Sequence, residues 1–333
     1  MQKRLLACFL ILIFFLGGCS PNFKPFHKET PISSLPPGAI YFDGNAIYEA
    51  SISLINSAKK SIYVEQAEFD DTSLIQLLIQ KASQGLEIRV LLDQWQRVNQ
   101  TTLDELKSHN ISVQFYPARK GQYDRVKLLV VDHEQALIYG STWTDNGKIS
   151  HTIAVKLTDR AAWKAVNVFA KDWEFTTTLS INVPKTSLLS EDNITLATNA
   201  NIKQQILEQI SASTKTIWVE TPLVSEPDTV QALIEAANKG LDVRLILDLT
   251  EAKANPMTIE ELKSHGIQIR TYSASKPLGL NIGLFDGKTF ILSSSSWTYY
   301  SFVINHELSL TIPSPSATEK LVELFYQDWT SSK

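Results

Sequence analysis

The chain repeats itself at an interval of 154 to 156 residues, and that duplication limits what it can fold into more than any other feature. Ser61-Ile62-Tyr63-Val64-Glu65 returns as Thr216-Ile217-Trp218-Val219-Glu220, and the run from Gly85 to Asp93 returns as Gly240 to Asp248. Glu105-Leu106-Lys107-Ser108-His109 returns as Glu261-Leu262-Lys263-Ser264-His265. Asp132 and Asp286, Trp143 and Trp297, and Phe169 with Asp172-Trp173 and Phe325 with Asp328-Trp329 keep the same spacing. A chain written this way is two units of one design, each carrying its own hydrophobic pattern.

Within each copy, helical and strand periodicities alternate. Ile47, Leu54, Ile55 and Ala58 mark an amphipathic helix, matched by Ile202, Ile206 and Ile210. A strand over Ile62–Glu65 follows, then a helix from Leu74 to Ala82 that stops ahead of Gly85. Ile88–Leu92 is almost continuously apolar, as in a strand covered on both faces. A second helix ends at C-cap positions Asn110 and Gly266, and strands follow at Ile111–Phe115, Lys127–Val131 and Gln135–Tyr139. The last helix is read with Trp163, Val166, Phe169 and Trp173 on one face. The pattern predicts an α/β fold: two tandem α/β sandwich units over residues 39–180 and 193–333, joined by a polar link over 181–192.

Ahead of the first unit, Lys3 and Arg4 precede an apolar run from Leu5 to Leu16 and then Gly17-Gly18-Cys19. Twelve apolar residues are too few to span a bilayer, and a cysteine directly after Gly-Gly marks a lipobox rather than a plain signal peptide. Residues 1–19 are thus read as a bacterial lipoprotein signal with Cys19 as the lipidated residue, and 20–38, with five prolines, as an extended tether. The expectation is export to the cell envelope and attachment to a membrane through lipid. Cys8 leaves with the signal and Cys19 carries the lipid, which excludes disulfides and thiolate metal sites from the mature body. Without Lys3 and Arg4 the chain has 29 basic and 35 acidic side chains, a net of −6, so nucleic acid is not an expected partner.

Lys127-Leu128-Leu129-Val130-Val131-Asp132, followed by Gly140-Ser141-Thr142-Trp143-Thr144, resembles the phospholipase D superfamily. That family's signature is His-x-Lys-x-x-x-x-Asp and then Gly-Ser-x-Asn-Trp-Thr, once per unit. The resemblance runs from about Gly38 to Thr330 and implies two units packed face to face around one shared site. It also implies a reaction in which one histidine attacks phosphorus, the other protonates the leaving oxygen, and the lysines hold phosphate oxygens.

Laid over this signature, the first histidine position is Arg125, with Lys127 and Asp132 in place. In the second copy Gly279 and Asn281 replace histidine and lysine, and Asp286 remains. The second turn reads Ser293-Ser294-Ser295-Ser296-Trp297-Thr298, and the first is read as one residue shorter. Glu307 matches the acidic residue that supports the family's histidine, and its first-copy counterpart falls near Thr152. A guanidinium stays protonated and has no free lone pair, so Arg125 binds phosphate without attacking it. Neither step of the covalent route has its group.

Three functions stay open on these residues: a pseudoenzyme that binds a phosphorylated ligand or envelope partner, an active phosphodiesterase or phosphatidyl transferase with a rearranged site, and a structural envelope protein. Ligand-binding candidates are Arg125, Lys127, Ser141, Asn281, Ser294 and Ser296, with phospholipid as the ligand class. A serine among 293–296 is the candidate nucleophile of the second reading, though no base for it is evident in the sequence. Asp132 and Asp286 are read as fold elements. His306 alternates with Glu307 along a strand, so if Glu307 faces the site His306 faces away, and His151 is likewise not expected to be catalytic. His109 and His265 sit at helix ends, His133 at a turn and His27 in the tether. Trp143, Trp297, Tyr299 and Tyr300 are read as packing between the copies in preference to the other reading open to them, the lining of a lipid or sugar cleft. No metal or nucleotide motif is present, so no cofactor is expected.

Overall fold

The computed structural model describes residues 32, 33, 35–184, 189–294 and 296–333. The lipobox with Cys19, His27 and most of the tether lie outside the described residues.

The first copy runs β1 (Ile40–Phe42), α1 (Gly44–Ser57), β2 (Ser61–Gln66), α2 (Thr72–Ser83), β3 (Glu87–Asp93), α3 (Val98–Ser108), β4 (Ser112–Tyr116), β5 (Lys127–Val131), β6 (Gln135–Tyr139), α4 (Asp145–Ile149), β7 (Ile153–Thr158) and α5 (Asp159–Thr177). The second runs β8 (Thr195–Thr198), α6 (Ala200–Ala212), β9 (Thr216–Glu220), α7 (Pro227–Asn238), β10 (Asp242–Asp248), α8 (Leu249–Ala254), α9 (Pro256–Ser264), β11 (Gln268–Tyr272), β12 (Ile282–Phe285), β13 (Thr289–Ser293), a π-helical turn (Tyr300–Ile304), β14 (Leu308–Ile312) and α10 (Pro315–Ser331). Each copy forms a seven-stranded sheet, ordered β1-β7-β6-β5-β2-β3-β4 and β8-β14-β13-β12-β9-β10-β11. The two orders are the same, so the sequence duplication is a duplication of topology.

Successive residues of a strand face opposite sides, and here both sides are covered. Leu129 and Val131 of β5 join the core under α1, α2 and α3. Leu128 and Val130 turn the other way, into a core shared with α5, α10 and the inward residues Ile282 and Leu284 of β12. Ile202, Leu233 and Leu262 close the outer face of the second sheet. The layers are therefore helices, sheet, the pair α5 and α10, sheet, helices.

Two backbone bridges join the copies. Arg125 N–H donates to His306 O at 2.8 Å and His306 N–H to Tyr123 O at 2.8 Å. Gly279 N–H donates to His151 O and His151 N–H to Pro277 O, both at 2.9 Å. The partners are related by the repeat interval, which gives the junction a two-fold character.

Several expectations shift. Packing begins ahead of Gly38: Ser33 N–H donates to Pro313 O at 2.8 Å, and Leu35 lies against the shared core. His109 and His265 are themselves the C-caps of α3 and α9, and Asn110 and Gly266 follow them at positive φ (58° and 81°). Trp163 sits at the flank of α5, donating to Pro184 O at 2.8 Å, while Ala162, Val166, Phe169 and Trp173 make its buried face. Trp143 and Trp297 are buried, but in the two outer cores rather than between the copies, with Trp143 edge-on to Phe69 at 4.8 Å. Tyr299 and Tyr300 are exposed. The first turn is not shortened relative to the second, because Ile138 and Leu292 hold the same register against Leu128 and Ile282 and Trp143 keeps its interval to Trp297. The link is tied to α5, with Lys164 Nζ 2.6 Å from Asp192 and Arg160 2.6 Å from Glu191.

Candidate functional site

Lys127 opens β5 beside the copy–copy bridge, and only 6% of it is exposed. Its Nζ donates to the carbonyls of Arg125 (3.1 Å) and Ser294 (2.9 Å), so it spans both copies. Burial, with some opposition from Glu307 and help from Arg125, pulls the ammonium down to about 8. The Arg125 guanidinium lies over the Tyr123 ring, 4.9 Å from its centroid. These groups line a cleft of about 440 Å³ with Asn281, Ser294, Ser296, Asn305 and Glu307.

Ser294 and Glu307 come together on neighbouring strand ends. Ser294 Oγ donates to Glu307 Oε2 and accepts from Leu308 N–H at 3.1 Å. Asn305 Nδ2 donates to the other carboxylate oxygen at 3.2 Å. A carboxylate therefore stands where a serine needs a base, which no reading of the sequence supplied. Asn281 Oδ1 accepts from Thr221 Oγ1 at 2.7 Å.

The cleft gathers Arg125, Lys127, Asn281, Ser294, Ser296 and Glu307, and leaves out Ser141 and Gly279. Ser141 is buried. Gly279 faces Thr152, whose Oγ1 donates to its carbonyl at 3.3 Å; a Cβ there would meet Thr152 Cβ at 3.4 Å. Asp132 and Asp286 lie at the opposite ends of their strands. The Asp132 carboxylate accepts N–H bonds from Lys59, Lys60 and Ser61, and Asp286 accepts those of Thr214, Lys215 and Thr216. Each clamps one chain entry into its sheet.

No histidine lines the cleft among the described residues. His306 turns away from Glu307 and stacks on Tyr116 of the first copy, centroids 4.4 Å apart, beside Glu65 and Asp172. His151 stacks on Tyr272 of the second copy beside Glu220 and Asp328. The recurrence of Glu65 and Asp172 at the repeat interval was visible in the sequence, but nothing there placed them against a histidine of the other copy. Burial first, then the neighbouring Asp172 and Asp124 carboxylates, push the Glu65 carboxyl far above its ordinary range.

Residues 51–173 and 206–329 each match the family model described as "Cardiolipin synthase, PLD-like domain". The chain is 23% identical over 342 residues to a cardiolipin synthase of Clostridium perfringens (strain SM101 / Type A), covering 87% of this chain and 69% of that one. Among solved structures it is similar to phosphatidylserine synthase of Haemophilus influenzae Rd KW20, at a TM-score of 0.71 and 16% identity over 92% of this chain and 89% of that one. It is also similar to polyphosphate kinase of Porphyromonas gingivalis, at a TM-score of 0.64 and 12% identity over 86% of this chain and 46% of that one.

Proposed function

The chain belongs to the phospholipase D-like family described under cardiolipin synthase, and from that premise we propose that its cleft holds the phosphodiester of a phospholipid headgroup. The observation that carries this is the convergence of Arg125 and Lys127 with Asn281 in one cleft. A guanidinium fork and a buried ammonium suit a phosphate that bears one negative charge. The body's acidic balance gives no general adhesion to anionic lipid, so binding through this cleft is selective. The lipid anchor at Cys19 belongs to the same proposal and would hold the cleft near its ligand; Cys19→Ser is expected to abolish incorporation of a fatty-acid analogue in labelled cells.

A second reading, phosphatidyl transfer, is favoured by the Ser294–Glu307 contact and by the activities named for the relatives. In it Ser294 Oγ bonds to phosphorus while Glu307 takes its proton, and the bond to the leaving alcohol breaks as Lys127 supplies a proton to that oxygen. An acceptor hydroxyl then attacks phosphorus, giving its proton to the neutral Lys127 amine, and the bond to Ser294 Oγ breaks as Glu307 returns its proton to that oxygen. The histidine route of the family has no counterpart here, because Arg125 and Gly279 occupy its two positions.

The test uses the Cys19→Ser chain, so that the anchor itself does not drive sedimentation, with phosphatidylglycerol vesicles and phosphatidylcholine controls. Binding lost in Arg125→Ala/Lys127→Ala, without headgroup release, supports the binding reading. Release abolished by Ser294→Ala supports transfer. Failure to bind or turn over either lipid overturns both.

A further inference from the structure

The cluster around His306 lies outside the cleft and is assembled from both copies. Glu65 is the penultimate residue of β2, Asp172 lies on the buried side of α5, and His306 arrives from the second copy on the bridging segment. All three are buried, Glu65 completely. Neither Glu65 oxygen makes a hydrogen bond of ordinary geometry, nor do Asp172 Oδ2 and His306 Nε2, and the buried Asp124 carboxyl, its Oδ2 likewise unpaired by that measure, stands against Glu65. His306 is the one basic side chain within 4.0 Å of either carboxylate among the described residues.

The imidazole has a set orientation. Asn199 Oδ1 already accepts the Glu307 N–H at 3.0 Å, so it is an oxygen, and His306 Nδ1, also 3.0 Å away, is the donor to it. In the neutral ring that leaves the Nε2 lone pair facing two carboxylates, an arrangement that either a cation or protons must neutralise. Burial opposes a proton on Nε2 while the carboxylates of Asp172, Asp124 and Glu307 favour one, yet Asp172 Oδ2 at 3.2 Å is not aligned with Nε2 for a hydrogen bond of ordinary geometry. Nε2 is 3.2 Å from Asp172 and 3.6 Å from Glu65, and the three ligand atoms lie within 4.8 Å of one another. Donors about 2.0–2.1 Å from a tetrahedral ion sit roughly 3.4 Å apart, so the two distances bracket a tetrahedral edge.

We propose that Glu65, Asp172 and His306 bind one divalent metal ion, with zinc as the ion their nitrogen and carboxylate donors suit, and that this ion locks the two copies together. A bond from Nδ1 to an amide oxygen is the support that zinc-bound histidines commonly have. The ion would fix the segment whose neighbours, Arg125 and Glu307, line the cleft, so it shapes the phosphate site without touching its ligand. The counterpart cluster is arranged differently. The ligand atoms of His151, Glu220 and Asp328 also lie within 4.8 Å of one another, but His151 Nε2 is already hydrogen-bonded to Asp328 Oδ2 at 2.8 Å and stands 3.9 Å from Glu220. Leu278 replaces Asp124 there, at the equivalent place in the bridge.

The experiment is zinc content after equilibration with zinc chloride and gel filtration, with thermal unfolding measured in zinc and in EDTA, on the full chain in detergent without phospholipid. The expected result is one zinc per chain, a melting temperature raised by zinc and lowered by EDTA, and loss of both effects in Glu65→Gln and in Asp172→Asn. Asp328→Asn should keep the zinc. Circular dichroism confirms that each variant is folded, and Glu65→Gln, which keeps the size and shape of the buried side chain, is the variant best able to fold. No zinc above the level of a chelated control, or zinc retained in the folded Glu65→Gln/Asp172→Asn variant, overturns the site. In that outcome the carboxyls are instead neutralised by protons. Because no lipid is present, this result is independent of the headgroup proposal.

Discussion

Lys127 carries a charge that burial makes hard to keep, and its behaviour with pH follows. Its ammonium, held near 8 chiefly by desolvation, is protonated at pH 7 and neutral at pH 9. Headgroup affinity should therefore fall as pH rises through about 8, read by vesicle sedimentation at constant ionic strength. Lys127→Arg, which stays charged, should flatten that fall; an unchanged pH profile in the variant would remove Lys127 from the site. The linkage has the opposite sign for folding. Between about 8 and the unfolded value of about 10.4, the folded chain binds fewer protons than the unfolded one, so this group contributes stability that increases with pH. Asp286 behaves conventionally. Desolvation pushes its carboxyl up, but the N–H donors of Thr216, Thr214 and Lys215 outweigh that and hold it below its usual range. Its contribution is present above the unfolded value and lost as pH falls through the folded one. Asp286→Ala should cost about 1–2 kcal/mol in denaturant unfolding, at the lower end because the clamp is open to water. Headgroup binding should be unchanged, and a loss of binding without loss of stability would contradict its reading as a fold element.

Between elements, the two copies approach closely where β6 leaves its sheet. A Cβ built on Gly140 would stand 2.2 Å from Thr152 Oγ1 and 2.7 Å from the Gly279 carbonyl. The hydroxyl can rotate away, but the carbonyl belongs to the segment bridged to His151 and cannot move without breaking that bridge. Gly140→Ala should destabilise by about 1–3 kcal/mol, and adding Thr152→Ala should recover only part of it. Wild-type melting of Gly140→Ala would show that the junction is looser than these contacts imply. At the equivalent place in the second copy the chain carries Ser294, whose side chain reaches Glu307. One half of the junction is closed by a glycine and the other opens into the cleft, which is how two copies of one topology make an asymmetric site.

For the whole molecule, the missing imidazoles matter because the route that the family resemblance implies has two positions in different copies act on one phosphorus. Groups that act as a unit are strongly non-additive when removed or restored. Arg125→His alone and Gly279→His alone should each leave histidine-dependent turnover at zero. Arg125→His with Gly279→His and Asn281→Lys should give a trace of headgroup release and an acid-labile phosphoenzyme, since a Cβ at Gly279 meets its neighbours at ordinary contact distances of 3.4–3.5 Å. An acid-labile phosphoenzyme formed by the unmodified chain would contradict the absence of histidine chemistry.

The sequence by itself determined the duplication, the α/β class and the strands Lys127–Val131 and Gln135–Tyr139, because repeat spacing and apolar runs are local properties that survive without knowledge of neighbours. It also determined that Arg125 cannot act as a nucleophile, since that follows from the side chain alone. Only the tertiary structure decided that Glu307 meets Ser294, that Trp143 and Trp297 belong to outer cores, and that Tyr299 and Tyr300 stand exposed. The same holds for His306, whose partners Glu65 and Asp172 precede it by more than a hundred residues and belong to the other copy. The contacts of His306 arise from the docking of the two copies, and the repeat pattern constrains each copy separately while leaving the face each presents to the other unspecified.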